Sequence, residues 1–275
     1  MFESIGRSWS LFKKSFELLM LDKELLVFPI LSGFFGLLLL IAFIFPLFIA
    51  GLVDAEGILF YVILFLFYFA ITFIVVFFNA ALVGAANIRL NGGNPKLGDG
   101  IRIAFENLGS IIGWSLISAT IGVILSVLSS KTKDNFIGQI VTRILGAAWS
   151  IITFFVIPIM VIEKTGPVTA LKRSGSIVKD QFGETMIAQF GFGAITGFGV
   201  VLSLVLGVVL FFLLAPLGSV GIGVAVFITL FLVFGVILLS KTLNGIFIAA
   251  LYHYATTGED PENWNLGELV ESAQR

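Results

Sequence analysis

The stretch NAALVGAANIRLNGGNP, residues 79–95, marks the end of a long apolar helix. Polar side chains enter this helix at Asn79 and Arg89, and Gly93 and Pro95 follow them. Glycine disfavours the helix through its conformational entropy, and proline disfavours it through its missing N–H and its ring. The stretch therefore predicts a helix that leaves an apolar environment, becomes polar and stops.

Two other stretches end in the same way. NGIFIAALYHYATTGEDP, residues 244–261, also begins with Asn and ends in Gly and Pro, and IPIMVIEKTGP, residues 157–167, is a shorter version. We call these three helix ends, at residues 79–95, 157–167 and 244–261, the exits. Their similarity predicts one unit used three times, made of a surface helix, an apolar span, a tight turn and a returning span. The predicted organisation is a single membrane domain at 1–257, with pseudo-repeats at about 2–93, 95–166 and 167–258, and an acidic cytoplasmic tail at 258–275.

Composition indicates an integral membrane protein. Of the 275 residues, 58% are hydrophobic and 12% are charged, and the mean hydropathy is +1.09. Charge-free runs of about twenty residues match a hydrocarbon core of roughly 30 Å, because a helix rises about 1.5 Å per residue. The runs lack the two-residue alternation of barrel strands, so we predict an all-α membrane fold.

Hydrophobic periodicity and charge place the individual elements. Stretches with charged side chains on one helical face predict amphipathic surface helices, and the charge-free runs predict six transmembrane helices. The predicted surface helices are residues 2–21, 96–107 and 168–182, with a shorter amphipathic piece at 131–143. The predicted transmembrane helices are residues 25–52, 57–88, 108–129, 144–162, 185–214 and 219–254.

Positive charge lies mainly on one side of these spans. Cytoplasmic segments are enriched in Lys and Arg, and all but three of the 16 Lys and Arg residues fall at one set of span ends. The three exceptions are Lys131, Lys133 and Arg143. This bias predicts a multi-pass protein of the cell membrane with both termini in the cytoplasm.

No catalytic or metal-binding motif is recognisable in the sequence. It contains no Cys and one His, His253, which we expect at the membrane interface. All 17 acidic residues lie outside the charge-free span cores, where a proton relay normally needs a carboxylate. The net charge of −1 gives no field for nucleic acid. We therefore expect no enzyme activity, no cofactor and no nucleic-acid partner.

Asn79, Lys241 and Asn244 form the predicted polar or lipid-binding site. Asn79 and Asn244 hold the same place in two repeats, and they either hydrogen-bond across helices or line a polar cavity. Lys241 either extends to the cytoplasmic headgroups or lies inside the bundle and serves an anionic group. We favour hydrogen bonding for the two Asn residues and the headgroup position for Lys241.

Small residues four apart predict where helices pack closely. The pairs are Gly109 and Gly113 in the third span and Gly193 and Gly197 in the fifth. Missing side chains let two backbones approach each other, within one chain or between two copies. We expect both pairs to lie at helix–helix contacts.

The three exits and the stretch GPVTALKRSGSIVKDQFGE, residues 166–184, carry a family resemblance. With its units of a surface helix and two spans, the chain resembles a group of uncharacterised prokaryotic six-span membrane protein families. Those families are similar in layout to the membrane domain of some glycerophosphoryl diester phosphodiesterases. The resemblance covers essentially the whole chain and implies a six-span bundle with cytoplasmic surface helices. It implies no established activity.

Three functions fit these expectations. The first is a non-catalytic protein that handles membrane lipid or a small apolar or zwitterionic solute, because Phe is abundant and intramembrane charge is scarce. The second is a structural or assembly partner of another membrane protein or of a second copy, because the spans are rich in glycine. An intramembrane enzyme comes last, since nothing pairs a nucleophile with a base. A polar cavity open to lipid would favour the first function over the second.

Overall fold

Helices make up every regular element of the described chain. The computed structural model describes residues 2–49, 58–133, 135–181 and 187–261, with Trp264 and Leu266. In chain order the α-helices are α1 (Phe2–Leu21), α2 (Val27–Ile49), α3 (Ile58–Leu90), α4 (Leu97–Glu106), α5 (Leu108–Lys131), α6 (Phe136–Ile152), α7 (Val156–Ile162), α8 (Pro167–Gln181), α9 (Ile187–Leu214) and α10 (Gly218–Thr257). Short 3-10 turns at Lys23–Leu26 and Ala215–Leu217 precede α2 and α10. The predicted all-α fold is confirmed.

Five helical segments are long and apolar enough to cross a membrane. They are Lys23–Phe43, Val62–Leu90, Leu108–Lys131, Phe136–Ile162 and Gly193–Thr257. The last segment contains most of α9 and all of α10, which pack against each other on either side of a 3-10 turn. The count of six spans, the three repeats and the side of each terminus stay predictions. Most of the predicted tail at 258–275 lies outside the described residues.

Each of the three exits ends its helix with a residue of positive φ. Gly92 follows α3 with a φ of 79°, Gly258 follows α10 with 70°, and Lys164 follows α7 with 52°. A residue in the left-handed backbone conformation directs the chain away from the helix axis, and glycine adopts this conformation without strain. Pro167 then starts α8 at the first helical position, where its missing N–H removes no helical hydrogen bond.

The fourth predicted span differs from expectation. The sequence predicted an amphipathic piece at 131–143 and a fourth span at 144–162. Instead, α6 begins inside the first range, because the Asn135 side chain accepts hydrogen bonds from two N–H groups of its first turn. A turn at 153–155 then separates α6 from α7. Pro158 explains this break, because proline cannot donate to the carbonyl four residues earlier and its ring clashes there.

The helix α3, which ends in the opening stretch, lies at the centre and contacts α2, α4, α5, α7 and α10. Its Ala80, Ala81 and Ala86 are 0% exposed, and such short side chains let other helices approach closely. At the contacts with α3, α4 presents Gly100 and α10 presents Gly245. A Cβ at Gly100 would lie 2.7 Å from the carbonyl oxygen of Ala81, so α4 rests directly on the α3 backbone.

The buried core lies toward the ends of α3, α7 and α10. Most residues between Thr242 and Tyr252 are buried, as are those of α7 between Val156 and Val161. Large apolar side chains are instead exposed over much of α2, α9 and the first half of α10. Exposed apolar helix surface of this extent suits contact with lipid chains. The compact core therefore holds the polar ends of the helices in place.

Candidate functional site

Polar side chains concentrate where α3, α7 and α10 end, and we call this end of the bundle the exit face. Hydrogen bonds and ion pairs centred on Arg89, Glu163 and Lys164 cross it. Three of these contacts, Arg89 with Asp22, Tyr252 with Glu163 and Lys164 with Glu106, join residues more than 50 positions apart. The exit face is therefore the most firmly cross-linked polar region of the described chain.

The ion pair between Asp22 and Arg89 is the most buried ion pair of the described residues. Asp22 follows α1 and is 5% exposed. Arg89, in the last turn of α3, donates through Nε and Nη2 to the two carboxylate oxygens of Asp22. Its Nη2 also donates to Oδ1 of Asn94 over 2.9 Å. Because two-point pairing fixes both partners in orientation, it locks the end of α1 to the end of α3.

Carboxylates position the start of α4 at the same junction. Oε2 of Glu24 accepts a hydrogen bond of 2.5 Å from the N–H of Leu97, the first residue of α4. Asp99 accepts a hydrogen bond of 3.0 Å from the N–H of Lys96. The N–H groups of a helix start have no partner inside the helix, and the helix dipole favours negative charge there. The two carboxylates therefore determine where α4 begins.

A second network joins α7, α8 and α10. The hydroxyl of Tyr252 donates to Oε1 of Glu163, and Nε of Arg173 lies 2.7 Å from the same oxygen. Tyr252 is 1% exposed, so its hydroxyl needs a partner inside the fold. Lys164 reaches Glu106 at the end of α4 over 3.3 Å. The helices α4 and α8 are thereby tied to the ends of α7 and α10.

Ser174 of α8 bridges the break between α6 and α7. Its hydroxyl donates to the carbonyl of Ile152 over 2.6 Å and accepts from the N–H of Phe155 over 3.0 Å. Ser174 is 0% exposed. A buried backbone group without a partner costs about 1–3 kcal/mol, so this single hydroxyl stabilises both sides of the interruption.

The structure brings the two predicted Asn residues to the crossing of α3 and α10. Oδ1 of Asn79 lies 3.6 Å from the Cβ position of Gly245. Oδ1 of Asn244 is buried and has no hydrogen-bond partner among the described residues. Lys241 is exposed, so the described chain does not enclose it. Whether these three residues bind a ligand stays a prediction.

The predicted glycine pairs meet neighbours at one position of four. A Cβ at Gly113 would lie 3.1 Å from Cγ of Pro167. A Cβ at Gly109, Gly193 or Gly197 would find no atom within 4 Å in the described part of the chain. The described chain therefore shows no close approach at these three positions, and the expected helix contacts at Gly193 and Gly197 stay a prediction.

Other glycines of α9 make its close approach to α10. A Cβ at Gly199 would lie 2.9 Å from Cγ1 of Val236, and one at Gly207 would lie 3.0 Å from Cβ of Thr229. Spacing alone identifies small residues on one helical face. Spacing does not identify which of several glycine-bearing faces of α9 packs on α10, because that depends on how the two helices are aligned along each other.

A cleft of about 380 Å³ opens on the exit face beside Arg89, and we call it the exit cleft. Its charged side chains are Lys14, Glu17 and Arg89, and its other lining residues are Leu18, Leu21, Leu90, Gly92, Pro261 and Trp264. Nζ of Lys14 lies 3.3 Å from Oε2 of Glu17. The exit cleft thus combines charges of both signs with apolar walls. The sequence did not reveal it, because its lining comes from three segments far apart in the chain.

Five apolar segments of membrane-spanning length, exposed apolar surfaces and a polar exit face define an α-helical integral membrane protein. The chain belongs to DUF6159, a family of unknown function whose sequence profile matches residues 58–261. The match begins with α3, so α1 and α2 precede it.

No curated protein and no solved structure matches the chain. The comparisons do not show a similarity to the membrane domain of glycerophosphoryl diester phosphodiesterases, and that resemblance stays a prediction.

Proposed function

We propose that the protein is a non-catalytic membrane protein that binds zwitterionic phospholipid in the exit cleft. The observation that carries the proposal is the set of charges in this cleft, two basic groups and one carboxylate above apolar walls. A zwitterionic headgroup carries a phosphate and an ammonium group above acyl chains. Lys14 and Arg89 suit the phosphate, Glu17 suits the ammonium group, and Trp264 suits the interface between headgroup and chains.

The charged groups of the exit cleft have capacity for a ligand. Arginine has five N–H donors, and the contacts of Arg89 with Asp22 and Asn94 use Nε and Nη2. Nη1 therefore supports a further bond to phosphate. The pair between Lys14 and Glu17 is an exposed one, with side chains 28% and 51% exposed. Such pairs contribute little stability, so a zwitterion that supplies both opposite charges replaces it readily.

Lipid binding to single variants tests this proposal. We expect Lys14→Gln and Glu17→Gln each to weaken binding of phosphatidylethanolamine to the full chain in detergent micelles about tenfold, because a charged hydrogen bond contributes about 1.5–3 kcal/mol. Native mass spectrometry measures the bound lipid. Lys172→Gln, on the exposed part of α8 outside the cleft, is the matched control. Equal binding by the control and both cleft variants would overturn the proposal.

The proposed orientation places the exit face in the cytoplasm, with the protein in the cell membrane. The charge bias of the sequence supports it, and the absence of Cys gives a labelling experiment without background. We expect Ser130→Cys to react with an impermeant maleimide in intact cells, and Thr169→Cys to react only after lysis. Both positions are exposed. The reverse pattern would show that the orientation is wrong.

A second candidate function is that of an assembly partner, and one observation favours it. No atom of the described chain lies within 4 Å of the Cβ positions of Gly193 and Gly197, and Phe198 beside them is 72% exposed. An exposed helix face with small residues four apart is typical of contacts between membrane helices. A dimer measured by light scattering of the purified protein, and lost in Gly197→Leu, would favour this function. A monomer at all concentrations would argue against it.

A further inference from the structure

The turn between α5 and α6 carries a second cleft, which we call the turn cleft. Its volume is about 260 Å³, and its lining residues are Ser129, Lys133, Gln139, Thr142 and Arg143. It contains two of the three basic residues that the charge pattern assigns to the side opposite the exit face. All of its lining side chains are basic or neutral and polar.

The two cations of the turn cleft have no acidic partner in the described part of the chain. The ion pairs found there involve neither Lys133 nor Arg143. Two of the three neutral side chains already donate hydrogen bonds to the backbone, since Oγ1 of Thr142 donates to the carbonyl of Gly138 over 2.9 Å, and Nε2 of Gln139 donates to the carbonyl of Lys133 over 2.6 Å. The neutral groups therefore shape the cleft, while the cations remain to bind a ligand.

Exposed apolar side chains flank the turn cleft on the α6 side, next to Arg143. Arg143 lies seven residues beyond the start of α6, or about 11 Å along the helix axis. Exposed apolar side chains cover this part of α6, namely Phe136, Ile137, Ile140, Val141 and Ile144. An unpaired charged side chain beside lipid chains is energetically unfavourable. An anion in the cleft would offset this cost and would be held from two sides.

We propose that the turn cleft binds the phosphate of an anionic phospholipid whose acyl chains lie on the exposed apolar face of α6. The guanidinium of Arg143 forms two-point hydrogen bonds to phosphate oxygens, and the ammonium of Lys133 adds a compact positive charge. Free phosphate offers the same oxygens but has nothing to place on the apolar face. The proposal is independent of the exit cleft, to which α5 and α6 contribute no lining residue.

Binding of phosphatidylglycerol to the full chain in detergent micelles tests the proposal. We expect Arg143→Gln and Lys133→Gln each to weaken this binding about tenfold, and Arg143→Lys to keep more of it than Arg143→Gln. Lys179→Gln, an exposed Lys on α8, is the matched control and should bind normally. Asp134, the acidic residue of this turn, lies outside the described residues, and Asp134→Asn should leave binding undiminished.

Two outcomes would overturn the proposal. One is equal phosphatidylglycerol binding by Arg143→Gln, Lys133→Gln and the control. The other is displacement of the lipid by millimolar inorganic phosphate, which would indicate a site for a free anion. The unfolding midpoint of each variant is measured in parallel. If the unfolding midpoint of Arg143→Gln is lowered, phosphatidylglycerol binding by Lys133→Gln is the deciding measurement. Lys133 is exposed beyond the end of α5, so its replacement should not affect folding.

Discussion

Replacing Gly100 by Ala is expected to lower the thermal unfolding midpoint of the detergent-solubilised protein, whereas replacing Gly98 by Ala should raise it slightly. Both glycines lie in the first turn and a half of α4. Gly100 is buried against α3, and Gly98 is exposed with no atom of the described residues within 4 Å of its Cβ position. The same added methyl group is therefore expected to act in opposite directions.

The size of the Gly100 effect follows from what the new Cβ would meet. It would lie 2.7 Å from the carbonyl oxygen of Ala81 and against the ring of Phe28, which is 0% exposed. Overpacking of this kind costs about 1–3 kcal/mol, and we expect the upper part of that range because a backbone atom cannot rotate away. Ala at Gly98 removes conformational freedom from the unfolded chain and is expected to stabilise by up to about 1 kcal/mol.

The pair of variants also separates packing from helix propensity. A change that acted only through propensity would stabilise α4 at both positions. Equal shifts of the two unfolding midpoints would therefore contradict the close contact between α4 and α3.

Asp22→Asn is expected to cause the second large loss of stability. The substitution keeps the shape of the side chain but removes the charge that faces Arg89. Breaking a buried ion pair by removing one partner costs about 3–5 kcal/mol. Because the Arg89 side chain is 23% exposed and water screens part of its charge, we expect about 2 kcal/mol in the free energy of unfolding.

A matched exposed pair provides the control for Asp22→Asn. Arg102 is 66% exposed and lies 3.2 Å from Asp99, so Arg102→Gln is expected to cost at most about 1 kcal/mol. Unfolding in mixed micelles of neutral detergent and dodecyl sulfate measures both variants. The double variant Asp22→Leu with Arg89→Met should recover part of the loss, because it leaves no unpaired charge. An effect of Asp22→Asn no larger than that of Arg102→Gln would contradict a stabilising role for this pair.

Sequence reasoning predicted those features of the fold that depend on local chemistry. The apolar runs and the Gly and Pro residues predicted where α3 and α10 stop, and in the structure these helices end at Leu90 and Thr257, with Gly92 and Gly258 at positive φ. Helix ends are predictable in this way because the residue that stops a helix lies beside it in the sequence.

Features that depend on neighbours distant in sequence were not predicted. The partner of Arg89 lies 67 residues away, so nothing near Arg89 identified Asp22. The exit cleft is lined by both Lys14 and Trp264, which are 250 positions apart in the sequence. The glycine faces of α9 were assigned to Gly193 and Gly197, whereas the contact with α10 uses Gly199. Such features depend on the register between helices, and each helix alone is compatible with several registers.

The hydroxyl of Ser174 has a mechanical consequence. It is hydrogen-bonded both to Ile152 at the end of α6 and to Phe155 at the start of α7. Through this residue α8 connects the two helices across their break. Sliding α8 away would leave two backbone groups without these partners, at a cost of about 2–6 kcal/mol when each contributes about 1–3. The bend between α6 and α7 is therefore mechanically coupled to the position of α8.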